Sequence, residues 1–213
     1  MSDDKSYSRK GFFNEFFSFI REGVSHQLEK RIAKSLNAPL RPPGALNEVG
    51  FLATCTRCNA CAEACPYQAI QRFPLEAGVS ANSPYINPNL QSCQLCSDFP
   101  CIAVCEPKAL LPLGEKGVRM GHAIVRTETC QTWKDKVCTL CYDACPYPEQ
   151  AITIDEDYHP RVFDSCVGCG ACQQRCPVHP AGVEVLSPLA YTTAQRDEEY
   201  FFGMLHKGED EEK

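Results

Sequence analysis

Sixteen cysteines in this chain fall into four groups of four, with none left over. The most compact group is Cys166-Val-Gly-Cys169-Gly-Ala-Cys172-Gln-Gln-Arg-Cys176-Pro177, spaced C-x2-C-x2-C-x3-C-P. Bacterial runs of this form bind [4Fe–4S] cubanes: three thiolates wrap one cluster, and in two-cluster proteins the fourth crosses to a neighbouring cluster. Gly168 and Gly170 suit such a loop, whose backbone must bend sharply and approach inorganic sulfur. Cys55, Cys58, Cys61 and Cys65, followed by Pro66, repeat the spacing. Two further quartets are expanded. Cys93, Cys96, Cys101 and Cys105 read C-x2-C-x4-C-x3-C, and Cys130, Cys138, Cys141 and Cys145 read C-x7-C-x2-C-x3-C before Pro146.

Other cysteine chemistries fit less well. Structural zinc sites also use C-x2-C pairs, but usually as two pairs a dozen or more residues apart. A disulfide framework belongs to short secreted chains with a signal peptide. The expanded second and third quartets leave open a chain with fewer than four clusters. The cofactor expectation is therefore up to four [4Fe–4S] clusters, with all sixteen cysteines as metal ligands.

At 213 residues and 44% hydrophobic content that includes those cysteines, the aliphatic and aromatic core is small. Clusters are expected to act as staples that couple folding to metal assembly. The formal charge is −6 with thiols neutral, and each oxidised cluster with four thiolates adds about −2. That balance excludes nucleic acid and favours basic docking patches on protein partners. No phosphate loop or dinucleotide fingerprint is present. His122, His159 and His179 are scattered, with His179 read as a turn residue rather than a proton donor to a cluster. Tyr67, Trp133 and Tyr147 read as packing around clusters. Nothing resembles a substrate site, so the chain is expected to be an electron carrier and not an enzyme.

The elements that position the cysteines are short. Extended segments follow the quartets at Ala69-Ile70, Ala109-Leu110-Leu111, Ala151 to Ile154 and Gly182 to Val185. Others precede them at Tyr85-Ile86, Ala123-Ile124-Val125 and Arg161-Val162-Phe163. These read as strands of small hairpins flanking each cysteine loop. Ahead of them, Phe13, Phe16, Phe17, Ile20, Val24, Leu28, Ile32 and Leu36 recur at helical spacing. This predicts an amphipathic helix over residues 9–37, packed on its own domain or docked on a partner or membrane surface. Arg41-Pro42-Pro43-Gly44 reads as a stiff linker that ends it. No apolar run of 18 residues exists to span a bilayer. Ser8-Arg9-Lys10-Gly11-Phe12-Phe13 lacks the arginine pair and uninterrupted apolar stretch of an export signal, which places the chain in the cytoplasm. The aromatic stretch Tyr200 to Leu205 lies between acidic runs, and packing back on the core is preferred to a docking role. The fold class is α+β: two ferredoxin-like dicluster units of short β-hairpins and small helices, preceded by the amphipathic helix. The domain division is 1–40 for helix and linker, 41–190 for the four-motif region, and 191–213 for an acidic, flexible tail.

Taken together, Leu40-Arg41-Pro42-Pro43-Gly44-Ala45, Cys93-Gln94-Leu95-Cys96-Ser97-Asp98-Phe99-Pro100-Cys101, Cys138-Thr139-Leu140-Cys141-Tyr142-Asp143-Ala144-Cys145-Pro146 and the fourth motif with Gly182-Val183-Glu184-Val185-Leu186 resemble the ferredoxin-type electron-transfer proteins of the NapG/MauM kind. The resemblance covers residues 40–188. It implies four [4Fe–4S] clusters and single-electron relay between a donor, including a quinol-linked membrane protein, and a redox enzyme. Members often carry a twin-arginine signal, so this chain resembles a subgroup without one. A second reading is a tightly bound wiring subunit of a larger oxidoreductase such as a molybdenum enzyme; a third is a zinc-binding interaction module. Matched loop spacings and the resemblance favour nested pairing. In that scheme Cys55, Cys58 and Cys61 join Cys176, and Cys166, Cys169 and Cys172 join Cys65. Cys93, Cys96 and Cys101 join Cys145, and Cys130, Cys138 and Cys141 join Cys105. Sequential pairing, first quartet with second and third with fourth, is the alternative that the short intervals between motifs allow.

Overall fold

The computed structural model describes residues 39–115 and 117–195. The helix expected over 9–37 and the aromatic and acidic stretches beyond 196 lie outside the described residues.

The described region is built twice over from the same parts. In the first half, helix α1 (Glu48–Thr54) is capped by the Asn47 side chain, which accepts from the Gly50 N–H at 2.9 Å. Helix α2 (Ala60–Glu63) follows, then strands β1 (Ile70–Arg72) and β2 (Pro84–Ile86) and helix α3 (Pro100–Ala103). In the second half come β3 (His122–Val125), α4 (Leu140–Asp143), β4 (Ile152–Ile154), β5 (Pro160–Val162), α5 (Ala171–Arg175) and β6 (Val183–Leu186). A final helix, α6, runs over 188–195, with the Tyr191 N–H bonded to the Ser187 carbonyl and the Tyr191 ring stacked on His122. Helix thus continues past residue 190, where tail was expected to begin.

Each half closes on itself in the same way. Its central strands form an antiparallel hairpin, β1 with β2 in one half and β4 with β5 in the other, in registers Ile70↔Ile86 and Ile152↔Val162. The segment before its first cysteine loop pairs with the segment after its second. In the second half this is the β3–β6 ladder, Ala123↔Val185. In the first it shrinks to one bridge, Ala45↔Leu110, extended by Leu46 N–H to Ala109 O at 3.1 Å and Leu111 N–H to Gly44 O at 2.7 Å. The strands expected around residues 69–70, 85–86, 123–125, 151–154, 161–163 and 182–185 are all present within a residue or two; 109–111 is extended only through that bridge.

The apolar core follows the division. Leu40, Phe51, Ile70, Ile86, Ile102 and Leu110 fill the first half, and Ala123, Ile152 and Val183 the second. Arg41-Pro42-Pro43-Gly44 is no linker. Arg41, Pro42 and Pro43 are buried, and Leu40 accepts from the Ile86 N–H at 2.8 Å. The Arg41 guanidinium grips Glu48 at 2.9 and 2.5 Å, donates to Ser83 Oγ at 2.9 Å and Pro84 O at 2.6 Å, and lies 4.5 Å over the Phe51 ring. A Pro-Pro-Gly run reads as a spacer by composition, yet here its fixed φ angles deliver a buried cation into the core.

Candidate cluster-binding sites

The cysteine loops take their shape from left-handed backbone. The residue before the second cysteine has positive φ in three loops: Arg57 (59°), Leu95 (51°) and Gly168 (72°). A second such residue opens the following helix: Asn59 (73°) before α2, Phe99 (41°) before α3 and Gly170 (89°) before α5. Alternating right- and left-handed residues turn successive N–H groups inward, forming a concavity suited to an anion. Glycine takes this conformation without strain, whereas a side chain costs roughly 1–2 kcal/mol per residue. At Arg57 the cost is offset by bonds from its guanidinium to the carbonyls of Ala81 (2.9 Å) and Val79 (3.0 Å). The third loop differs. Its seven-residue expansion folds as a 3₁₀ turn, Gln131–Lys134, between Cys130 and Cys138.

Each short helix carries two cysteines four apart: Cys61 and Cys65, Cys101 and Cys105, Cys141 and Cys145, Cys172 and Cys176. The first member faces its own loop, and the second lies beyond the helix end and turns the other way. One cavity is lined by Cys55, Cys58, Cys61 and Cys105. A second is lined by Cys65, Cys93, Cys96 and Cys101. A third is lined by Cys130, Cys138, Cys141 and Cys176. The remaining thiols converge too, with Cys145, Cys166 and Cys169 close enough to Cys172 to raise its pKa. Cys176 thus lies beside Cys130, Cys138 and Cys141, not beside Cys55, Cys58 and Cys61, and the nested pairing is overturned in favour of the sequential one. Loop spacing reports only local backbone shape. Partnership is decided by the hairpins β1–β2 and β4–β5, which fold consecutive quartets onto each other.

The thiols sit in dry surroundings. Burial, reinforced by neighbouring thiolates, pushes Cys101 and Cys141 up to about 12 and Cys61 up to about 11. Burial likewise lifts Cys93 to about 11. Four such thiols cannot ionise together without a cationic group among them. Four thiols line each of the three cavities, three from one loop and one from its partner loop, which is the donor set of a cubane cluster ringed by thiolates. Backbone donors are also in place: Ala69 N–H to Cys65 Sγ at 3.4 Å, Leu110 N–H to Cys105 Sγ at 3.3 Å and Gly182 N–H to Cys176 Sγ at 3.2 Å. They place the residue after each cysteine-proline turn against the crossing ligand, where such bonds tune a cluster's potential.

Of the aromatic residues, Tyr67 lines the cavity of Cys65, and the Tyr147 N–H bonds the Cys145 sulfur. Trp133 is instead stacked on His159 at 4.1 Å on the surface. His179 borders a polar cleft with Arg126 and Glu184. Among the described residues no helix is long and apolar enough to cross a membrane. Sequence reasoning missed Arg41 and the polar residues Ser92, Gln173 and Gln174, all of which hold the loops in place. Nothing in their spacing marks them.

Comparison with known proteins agrees with this geometry. A 4Fe-4S dicluster domain model matches residues 54–109 and 136–179, one match in each half. The chain is 34% identical over 197 residues to the ferredoxin-type protein NapG of Escherichia coli (strain K12), covering 86% of this chain and 85% of that protein. It is 34% identical over 158 residues to the methylamine utilization ferredoxin-type protein MauM of Methylorubrum extorquens, covering 69% and 72%. To the ferredoxin-type protein NapF of Escherichia coli (strain K12) it is 30% identical over 170 residues, covering 78% and 94%. No solved structure matches. The chain belongs to the NapG/MauM family of ferredoxin-type proteins, iron–sulfur electron-transfer proteins that carry [4Fe–4S] clusters and are not enzymes.

Proposed function

We propose that all sixteen cysteines are cluster ligands in four sets: Cys55, Cys58, Cys61 and Cys105; Cys65, Cys93, Cys96 and Cys101; Cys145, Cys166, Cys169 and Cys172; and Cys130, Cys138, Cys141 and Cys176. The observation that carries this is the convergence of three thiols from one loop with one from its partner loop, around cavities with few other polar groups. A bound cubane supplies one-electron exchange with little change of geometry. The chain's own residues do the rest. The loops present N–H groups, the backbone bonds to Cys65, Cys105 and Cys176 stabilise the thiolate form, and buried Phe51, Ile70 and Leu110 keep water away.

The chain relays single electrons between redox-protein partners, with a quinol-linked donor as one of them. The domain division is helix and approach over 1–40, the cluster region over 41–190, and the acidic stretch beyond. The amphipathic pattern of residues 9–37 supports peripheral contact with a partner or the inner face of a membrane. The setting proposed is cytoplasmic.

Iron and sulfide analysis of anaerobically purified chain tests the ligand sets. The native chain should hold about sixteen iron and sixteen sulfide, four per cubane. Cys58→Ala/Cys105→Ala strikes one set twice and should retain about twelve iron. Cys58→Ala/Cys65→Ala strikes two sets and should retain about eight. Reversed counts would refute the pairing, and a colourless protein with stoichiometric zinc would refute the cluster reading.

A further inference from the structure

Among the described residues, one backbone hydrogen bond joins cysteines of the two halves. The Cys93 N–H donates to the Cys169 carbonyl at 3.0 Å. Cys93 belongs to the set with Cys65, Cys96 and Cys101, and Cys169 to the set with Cys145, Cys166 and Cys172. Cys169 is buried in the apolar core of the first half although it comes from the second.

A polar clasp holds this contact. The Ser92 N–H and Oγ–H both donate to Gln174 Oε1, at 3.0 and 2.7 Å, and Gln174 Nε2 donates to Leu90 O at 3.2 Å. Beside it, Gln173 Nε2 donates to Asn89 Oδ1 at 3.0 Å, while Gln173 Oε1 accepts from the Val185 N–H at 2.7 Å. Ser92 and Gln173 are buried. The backbones approach too closely for side chains: a Cβ on Gly170 would sit 2.7 Å from Pro88 Cβ, and one on Gly168 2.4 Å from Gly121 N.

Within each half the sets are joined differently, by the helices. α2 and α3 each hold a cysteine of one first-half set and are followed, just past the helix end, by a cysteine of the other set, and α4 and α5 do the same in the second half.

From these two kinds of link we infer that the four sets form one unbranched line, with the Cys93–Cys169 backbone hydrogen bond at its centre. The order is the Cys58 set, the Cys96 set, the Cys166 set, the Cys138 set. This differs from the order along the chain, because the last quartet sits inside and the third outside. The Cys58 set and the Cys138 set are the two ends. A reduced redox-protein donor gives up one electron at one end, and an oxidised redox-protein acceptor takes one up at the other, so the chain itself undergoes no net change. Gln173, Gln174 and Gly170 are positioning residues for the central link. The inference rests on the four ligand sets proposed above, and iron content reads that proposal separately.

The test uses the full-length holoprotein, reduced anaerobically, with electron paramagnetic resonance as the readout. Cys58→Ala/Cys138→Ala empties both ends and leaves the two central sets, which should give the spectrum of two interacting spins. Cys96→Ala/Cys138→Ala leaves the Cys58 and Cys166 sets, which are not neighbours, and should give two independent signals. Independent signals in the first variant, or interaction as strong in the second, would overturn the line. Gln174→Leu keeps every ligand and removes the clasp's bonds to Ser92 and Leu90, so it reads the same link should a ligand variant fail to assemble. It should retain about sixteen iron, by four per cubane, while the native interaction between halves is weakened. An unchanged spectrum with full iron would overturn the role of this contact.

Discussion

Replacing Arg41 isolates the one buried charge pair in the described core. Arg41 is 5% exposed and the Glu48 side chain 8% exposed. Arg41→Met keeps the aliphatic contact with Phe51 but leaves the Glu48 carboxylate without its two bonds and removes donors from Ser83 Oγ and Pro84 O. Breaking a buried pair from one side costs about 3–5 kcal/mol, because the surviving charge is left unpaired. Loss of the cation over Phe51 adds on the order of 1 kcal/mol. Phe51 lines the cavity of Cys55, Cys58, Cys61 and Cys105, so the damage falls next to a ligand set. A metalloprotein of this kind does not unfold in one reversible step, so the assay is kinetic. Loss of visible absorbance is followed in fixed urea under anaerobic conditions. If 3 kcal/mol appears in the unfolding rate, bleaching accelerates roughly a hundred-fold. Arg41→Met/Glu48→Leu should recover most of this, since replacing both partners by apolar groups is often neutral. Bleaching of the single variant at nearly the native rate, or a double variant worse than the single, would refute the reasoning.

Gly44→Ala should be among the most damaging single-methyl additions. Gly44 has φ +76° and an added Cβ would lie 2.2 Å from the Leu111 carbonyl, in the strand pairing that closes the first half. Iron content should fall by about half, to eight, by four per cubane lost, and a fully loaded variant would contradict the role of that bridge. Metal uptake should release protons. Cys61, Cys93, Cys101 and Cys141 hold their thiol protons up to about 11–12, so chelator-stripped protein is protonated there at pH 7 and ligation must expel those protons. Weakly buffered anaerobic reconstitution should acidify the solution, and cluster retention should improve as pH rises from 6 to 8, about one proton per thiolate being the coupling. No pH change on loading would contradict protonated thiols.

The chemistry of this protein was legible in one dimension because it depends on residue type and short spacing. Four cysteines in a dozen residues determine a ligand loop wherever it is placed, and the segments flanking each loop, such as Ala151 to Ile154 and Gly182 to Val185, carry strand composition of their own. The positive φ of Gly168 and Gly170 was equally local. What spacing could not determine was which quartet answers which. The crossing of Cys105 and Cys176 to their sequence neighbours follows from hairpins β1–β2 and β4–β5, and hairpin closure is a property of register between segments many residues apart. Matched spacing between the first and fourth quartets measured the similarity of two loops, not their contact. Arg41 was misread for the same reason. Beside two prolines it has the composition of a spacer, and only the arrival of Glu48, Ser83 and Phe51 from other elements makes it a buried clamp. The Cys93–Cys169 contact lies 76 residues apart in the chain, between positions 93 and 169. It joins a backbone N–H and a carbonyl, which every residue but proline possesses, so no side-chain pattern could announce it, and tertiary packing alone brought the two halves to that point.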